Sequence, residues 1–246
     1  MQSGRVCPAA CRRDLLFLLS GTMFLEMKLL KLHVRGILFD MDGVLISSLG
    51  SVERSWATWG RMRNVDGALA IKTAHGQRAI ETVRKLRPDL NDIEELKLIE
   101  EIEIADKDDI EVLQGVPRIL SALPERYWTI VTSATEKLAR ARLHYAGLTT
   151  PDRIITADMV TRGKPNPEPY IKGAALLGLK PEDCLVIEDS TSGARAGHAA
   201  GCKVLATLFS HTLENLTAAD WVVRSLEDVT VHPQKDGVEV EFEPIF

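Results

Sequence analysis

The 246-residue chain contains few cysteines, few aromatic residues and no basic stretch. With a net charge of −5, it offers no phosphate-tracking surface, so we expect no nucleic-acid partner. Its four cysteines form no CxxC pair and have no histidine at zinc-like spacing. Cys184 and Cys202 lie in apolar segments typical of reduced core thiols, whereas Cys7 and Cys11 supply at most half of a metal site. These features, with 45% hydrophobic residues, favour a globular cytoplasmic protein.

The first 34 residues allow two interpretations. Arg12 and Arg13 precede a short apolar run that resembles a signal peptide. The run is too short and too interrupted to span a membrane, and no small-x-small cleavage site follows it. We therefore favour an N-terminal extension over residues 1–34, and we expect no membrane association.

The remaining chain changes character near residue 112. Up to that point the pattern predicts helices over 51–62, 77–86 and 93–105. Beyond it, strands predicted at 129–132, 153–156, 184–187, 203–206 and 221–223 alternate with helices at 116–123, 136–145, 168–177 and 193–200. Asp236-Gly237 predicts a small hairpin near the end of the chain.

Alternation of strands and helices indicates an α/β fold with a doubly wound, mostly parallel sheet. The sheet begins with the apolar strand 36–39, is interrupted by helices, and resumes near residue 112. We predict a core domain of residues 35–48 and 112–246, with a small helical cap domain of residues 49–111 placed over one sheet edge. No repeat or low-complexity segment is evident.

Two aspartates, Asp40 and Asp42, follow the strand 36–39 directly, with Gly43 next. Carboxylates beside an apolar strand are costly unless they are paired, hydrogen-bonded or bound to a metal. In open α/β sheets, ligands bind at the carboxyl ends of the strands. The pair therefore indicates either a ligand site or a solvated acidic turn.

Three later segments place further polar groups at the same predicted edge. Thr132 and Ser133 precede a helix, where a hydroxyl and free amides suit a phosphate oxygen or simply cap the helix. Lys164 lies in the proline-stiffened segment 162–169, as a charge clamp for an anion or as an ordinary surface lysine. Glu188 and Asp189 end another strand, and two acidic pairs at one edge suggest an oxygen-ligand site for Mg²⁺.

Taken together, the ordered motifs resemble the haloacid dehalogenase-like superfamily of phosphohydrolases. These are Asp-x-Asp-Gly-Val-Leu at 40–45, Thr-Ser at 132–133, Lys-Pro at 164–165 and Glu-Asp-Ser-x-x-Gly at 188–193. The resemblance spans residues 35 to about 226 and implies a Rossmann-like core with a small cap. Segments 74–78, 128–133 and 162–165 resemble sugar phosphatases, 2-deoxyglucose-6-phosphate and glycerol-phosphate phosphatases, a group to which β-phosphoglucomutases are related.

The resemblance implies a role for each matching residue. Asp40 would be the nucleophile that forms an aspartyl-phosphate, and Asp42 the general acid and base. Lys164 would supply a fixed positive charge, and Thr132 and Ser133 would bind the phosphate. Mg²⁺ would be held by Asp40, Asp189 and the main-chain carbonyl of Asp42. Glu188 would lie behind the metal ligands without binding the metal directly. An acid at position 42 is absent from dehalogenases, which expel halide without a proton donor, so it favours phosphate esters.

In the predicted cap, His75 and Arg78 flank Gly76 ahead of a helix. They form either a substrate-contacting loop, with Arg78 suited to forked hydrogen bonds, or a solvated helix start.

Three functions are compatible with these residues. The leading hypothesis is a Mg²⁺-dependent phosphatase of small sugar or polyol phosphates, acting as a monomer. A β-phosphoglucomutase-like mutase would use the same two aspartates but needs more basic residues in the cap. A catalytically inactive phosphometabolite-binding protein would not need a proton donor at position 42.

Overall fold

The computed structural model describes residues 29–245. The core elements are β1 Leu30–Val34, β2 Gly36–Phe39, β3 Ile46–Ser47, β4 Glu111–Val112, α5 Val116–Ala122, β5 Trp128–Ile130, α6 Glu136–Tyr145, α7 Glu168–Leu176, β6 Cys184–Glu188, α8 Thr191–Ala200, β7 Lys203–Thr207, β8 Trp221–Val223, β9 Val229–Pro233 and β10 Val238–Phe242. Between β3 and β4 lie four helices: α1 Leu49–Arg63, α2 Gly67–Ala74, α3 Ala79–Leu86 and α4 Asp92–Ala105. We call residues 49–111 the helical insertion.

The central sheet has five parallel strands in the order β5-β2-β6-β7-β8. Alternate side chains of β2 enter two separate cores, because successive residues of a strand point to opposite faces. Ile37 and Phe39 pack in the cluster that holds residues of α5 and α6, whereas Leu38 packs with residues of α7 and α8. The predicted doubly wound α/β fold is therefore confirmed. Strand β2 pairs with β5 on one side and with β6 on the other. The strand order therefore reverses at β2, and ligands of open α/β sheets bind beside the carboxyl ends of strands at such a point.

One predicted strand is wrong. Residues 153–156 form only an isolated bridge, between Val131 and Ile155. Ile155 accepts from Thr132 N–H and donates to the Ile130 carbonyl. The chain then enters a short 3₁₀ turn at Ala157–Met159, so the pairing cannot extend into a strand.

The helical insertion has four helices instead of the three predicted. Helix α2 was missed, and its start is marked by Asp66, whose side chain accepts a hydrogen bond from the Leu69 N–H. Trp59 and Ile99 are fully buried in a cluster built from insertion helices alone. The insertion leaves and rejoins the core through the antiparallel pair β3–β4.

The hairpin predicted around Asp236-Gly237 is confirmed as β9 and β10. Strand β1 pairs with β10, although the sequence assigns its residues to the extension 1–34. Residues 30–34 thus belong to the folded core, because β1 completes a three-stranded sheet with the hairpin. Residues 1–28 of the expected extension, including Cys7 and Cys11, lie outside the described residues. None of the helices described between residues 29 and 245 combines the length and the apolar character that a membrane span requires.

Candidate active site

Asp40 stands at the carboxyl end of β2 and contacts a buried lysine. Lys164 Nζ donates to Asp40 Oδ1 at 2.7 Å, to Glu188 Oε1 at 2.7 Å and to the Val131 carbonyl at 3.0 Å. An ammonium group has three donors, so these contacts use all of them and fix the direction of the side chain. The surface interpretation of Lys164 is excluded, because its side chain is only 2% exposed.

Glu188 anchors this lysine from the end of β6. Its Oε1 also accepts from the Tyr170 hydroxyl at 2.7 Å. Its Oε2 accepts from the N–H groups of Asp189 and Ser190, both at 3.0 Å, and from Ser190 Oγ at 2.9 Å. Gly193 leaves room for this carboxylate, since a Cβ there would overlap Glu188 Oε1. Both oxygens of Glu188 are thus taken by protein donors.

The carboxylates at this edge are crowded and buried. Burial raises the pKa of Asp40 to about 7 despite the opposing charge of Lys164, and Glu188 adds to the increase. Burial, together with the charges of Glu188 and Asp40, raises the pKa of Asp189 well above its usual range. Burial lowers the pKa of Lys164, but the charges of Asp40 and Glu188 outweigh this effect and raise the pKa above its ordinary value. The site therefore brings together more carboxyl groups than the positive charge of Lys164 can keep ionised.

A divalent cation fits this imbalance. Carboxylate oxygens of Asp40, Glu188 and Asp189 lie within 4.8 Å of one another. Because protein donors already occupy both oxygens of Glu188, the candidate ligands among them are Asp40 and Asp189. Within residues 29–245, nothing donates to the main-chain carbonyl of Asp42, which leaves that oxygen free for a ligand role. A small number of carboxylate and carbonyl oxygens is the donor set that Mg²⁺ prefers. Gly43 allows the approach of Asp189, because its φ is +83° and a Cβ would overlap the Asp189 carboxylate.

Asp42 occupies a different environment from Asp40. Its Oδ1 accepts from Ser48 Oγ at 2.5 Å and from Arg142 Nη1 at 3.1 Å. Its side chain is 27% exposed, against 11% for Asp40. The two aspartates therefore differ in partners, burial and access to the cavity.

Thr132 and Ser133 lie next to the same site, before α6. The Thr132 hydroxyl accepts from the Ala134 N–H at 3.1 Å, which shapes the turn. Thr135, not Ser133, caps α6 by accepting from the Leu138 N–H. Ser133 is half-buried and lines the cavity, so its hydroxyl is available to a ligand.

A cavity of about 240 Å³ separates the sheet edge from the helical insertion. On the core side it is lined by Asp40, Asp42, Ser133, Lys164 and Asp189. On the insertion side the wall is largely apolar, formed by Leu49, Val52, Trp56, Leu96 and Ile99. Two acidic side chains of α4, Glu100 and Glu103, also reach it. The insertion therefore covers the edge at which the predicted polar groups meet.

His75 and Arg78 belong to the helical insertion, and both line the cavity between the insertion and the core. The buried Nε2 of His75 has no hydrogen-bond partner within residues 29–245. The guanidinium of Arg78 instead donates to the carbonyls of Val160 and Thr161, both at 2.8 Å, and to Glu81 at 2.6 Å. Arg78 therefore fastens the insertion to the core loop ahead of Lys164, with its terminal nitrogens already occupied.

A family model for haloacid dehalogenase-like hydrolases matches residues 34–201. The chain belongs to this family. Hexitol phosphatase A of Escherichia coli is 38% identical over 211 residues, covering 84% of this chain and 98% of that protein. Glycerol-1-phosphate phosphohydrolase 2 of Saccharomyces cerevisiae is 34% identical over 238 residues, covering 90% and 95%.

The fold comparison agrees with the family assignment. The crystal structure of a hydrolase from Pseudomonas syringae superposes with a TM-score of 0.70 at 22% identity, covering 78% of this chain and 93% of that one. This likeness supports the α/β core of the haloacid dehalogenase-like hydrolase.

Three contacts of this haloacid dehalogenase-like hydrolase were missed by the sequence analysis. Ser48 and Arg142 bind Asp42, and Tyr170 binds Glu188. Only Arg142 carries a recognisable sequence signal. It falls on the buried face of α6 with Leu138, Ala139 and Leu143, where an unpartnered charge would be costly.

Proposed function

We propose that this hydrolase is a Mg²⁺-dependent phosphatase of small sugar or polyol phosphates that works through an aspartyl-phosphate on Asp40. The observation that carries the proposal is that the two aspartates at the carboxyl end of β2 have different surroundings. Asp40 is buried against a fixed lysine, whereas Asp42, two residues later, faces the cavity with different partners. The names of the hexitol and glycerol phosphate relatives support the substrate class.

In the proposed first step, an Asp40 carboxylate oxygen attacks phosphorus, and the bond from phosphorus to the sugar oxygen breaks. Asp42 gives its proton to the departing oxygen, so that a neutral alcohol leaves. Asp42 then accepts a proton from the water that attacks the aspartyl-phosphate, which releases inorganic phosphate and restores Asp40.

The charges around Asp40 favour this attack. Lys164 holds a positive charge 2.7 Å from the nucleophile and cannot turn away, because Glu188 and the Val131 carbonyl hold it. Mg²⁺, held by Asp40, Asp189 and the Asp42 carbonyl, would offset the repulsion between carboxylate and phosphate when bound. Thr132 and Ser133, which line the cavity together with Asp40, would bind phosphate oxygens.

The cavity favours substrates with a single phosphate. The arginines and lysines among its lining residues are Arg78, Arg142 and Lys164, and each is already paired with a carboxylate. A mutase must bind a second phosphate in the same cavity, and no lysine or arginine among the described lining residues remains unpaired for it. Hydrolysis of a monophosphate is therefore favoured over the mutase alternative.

A phosphate-release assay on a panel of sugar and polyol monophosphates tests the function. We expect turnover of hexitol or glycerol phosphates with Mg²⁺ and almost none after chelation, because the carboxylates then repel the phosphate. The panel should include a sugar bisphosphate, which is expected to be a poor substrate. Isomerisation of β-glucose 1-phosphate without phosphate release would instead establish the mutase.

Metal binding should also be visible without substrate. At a hundredfold excess over its dissociation constant, a ligand stabilises the folded state by about 2.7 kcal/mol. For a chain of this length, that corresponds to a rise in melting temperature of about 5–10 °C. The response should weaken below pH 7, because Asp40, whose pKa is about 7, must lose its proton to bind the metal.

The matched variants are Asp189→Asn and Glu182→Gln. Asp189→Asn removes a proposed ligand and is expected to abolish the Mg²⁺-induced rise in melting temperature. Glu182 is 65% exposed on the surface, so Glu182→Gln should keep the full response. An unchanged response in Asp189→Asn would rule out that side chain as a metal ligand.

A further inference from the structure

Arg142 is a buried cation that the proposed chemistry does not use. It lies on α6, and its side chain is only 4% exposed. Nη1 donates to Asp42 Oδ1 at 3.1 Å, and Nη2 donates to Glu103 Oε1 at 3.3 Å. The guanidinium therefore connects the proposed acid on the core to α4 of the helical insertion.

Stability alone does not explain this arrangement. Burying an arginine with two carboxylates is costly, and replacing such groups by apolar residues is often neutral or stabilising. The Nε of Arg142 also has no hydrogen-bond partner among the described residues, so the hydrogen bonding of the guanidinium is incomplete there. A costly side chain with one end on Asp42 points to a role in what Asp42 does.

The contacts of Asp42 show what that role is. Ser48 and Arg142 both donate to Oδ1, whereas no donor within residues 29–245 reaches Oδ2. An oxygen that already accepts two hydrogen bonds is a poor place for a proton. The proton that Asp42 gives and takes therefore belongs on Oδ2, the oxygen without a protein donor.

We propose that Arg142 is a positioning residue that holds Asp42 by its Oδ1 and presents Oδ2 to the leaving-group oxygen. This inference rests on the proposed phosphatase function. Glu103 balances the charge of the guanidinium, so that Arg142 acts on Asp42 mainly as an oriented donor. Because Glu103 belongs to the insertion, the charge of Arg142 is balanced in this way only when the insertion is seated on the core.

The proposal is tested by measuring, under single-turnover conditions, how the rate of leaving-group release in each variant depends on whether the leaving group needs a proton. An alcohol must be protonated as it leaves, whereas nitrophenolate is a stable anion that needs no proton. Arg142→Gln should slow alcohol release from glycerol phosphate by about 10²-fold, the lower end of general acid catalysis. Nitrophenolate release from p-nitrophenyl phosphate should slow less than about threefold, since the attack by Asp40 does not depend on the acid.

Four comparison variants make the result specific. Asp42→Asn should show the same difference between the two substrates, and adding Arg142→Gln to it should cost little more. Arg140 lies on the exposed side of α6, paired with Glu136, so Arg140→Gln should change neither rate more than about twofold. If Arg142→Gln alone does not fold, combining it with Glu103→Gln removes the unbalanced buried charge and allows the same measurement.

Equal slowing with both substrates would show that Arg142 is merely structural and overturn the proposal, as would unchanged rates. If Asp42→Asn slows glycerol phosphate more than p-nitrophenyl phosphate but Arg142→Gln does not, the role of Arg142 is overturned while the phosphatase function stands. Absence of the difference in Asp42→Asn itself would remove the proposed acid and, with it, the role of Arg142.

Discussion

Replacing Asp40 by Asn is expected to lower phosphate release by about 10⁴-fold or more, the scale seen when a hydrolase loses its nucleophile. The amide nitrogen and oxygen keep the size of the side chain but cannot form the acyl-phosphate. The measurement is steady-state phosphate release with the best substrate of the panel. Rapid acid quenching with labelled substrate should trap phosphate on the wild type and none on the variant.

The same substitution should make the metal-free protein more stable. The folded pKa of Asp40 is about 7, above the unfolded value of 3.8, so ionisation of Asp40 costs stability as pH rises from about 4 through 7. Asn removes this cost. The gain in melting temperature over the wild type should therefore grow across that pH range and then level off.

Asp236→Asn is the matched control, because Asp236 is 83% exposed in the β9–β10 turn. It should change neither activity nor the pH dependence of stability. Full activity of Asp40→Asn would overturn the nucleophile assignment. Loss of folding would show that Asp40 is needed for structure, contrary to the expected stabilisation.

Replacing Lys164 by Met should have the second largest effect, on both stability and rate. Asp40 and Glu188 would lose their cation inside the protein, and removal of one partner of a buried ion pair typically costs about 3–5 kcal/mol. The rate should fall by about 10²–10³-fold, as when one preorganised donor is removed from an active site. Urea unfolding and phosphate release measure the two effects.

The stability deficit of Lys164→Met should shrink as pH falls. Without the lysine, the pKa of Asp40 rises further. The pKa of Glu188 rises as well, because burial is then no longer outweighed by Lys164, which holds this pKa below its ordinary value. The folded variant therefore takes up protons that the unfolded chain does not. Lys172→Met on α7 is the control, because Lys172 is 43% exposed and its ammonium group contacts Glu168, four residues earlier, and the Met159 carbonyl at the surface. Its cost should stay within about 0.5 kcal/mol. A similarly small cost at position 164 would contradict the buried triad of Lys164, Asp40 and Glu188.

The parts of the site at strand ends could be predicted from the sequence. Asp40, Thr132 and Glu188 follow apolar strands of one parallel sheet, and the carboxyl ends of such strands meet at one edge. Lys164 could be predicted only through the resemblance. It follows no strand, and nothing in its surroundings shows that its ammonium group reaches Asp40 and Glu188.

Contacts between distant helices could not be predicted in this way. Arg142 is 100 residues from Asp42, and helical periodicity places it on a buried face without naming its partner. Arg78 looks like a ligand-binding arginine in sequence, yet carbonyl groups of the core loop occupy it. Helix α2 was missed because Gly67 begins it and the helix is only eight residues long, too short for a clear period.

The two short strands β3 and β4 have an evolutionary consequence. Ile46 pairs with Val112 and Ser47 with Glu111, so the chain leaves the core and returns to it at neighbouring points. The 49–111 segment is topologically a single long loop, and doubling the length of a loop costs only about 0.6 kcal/mol in closure entropy. Helical modules of other sizes and linings can therefore be exchanged at this junction. Substrate preference can then diverge among descendants while the chemistry at the strand ends is inherited unchanged.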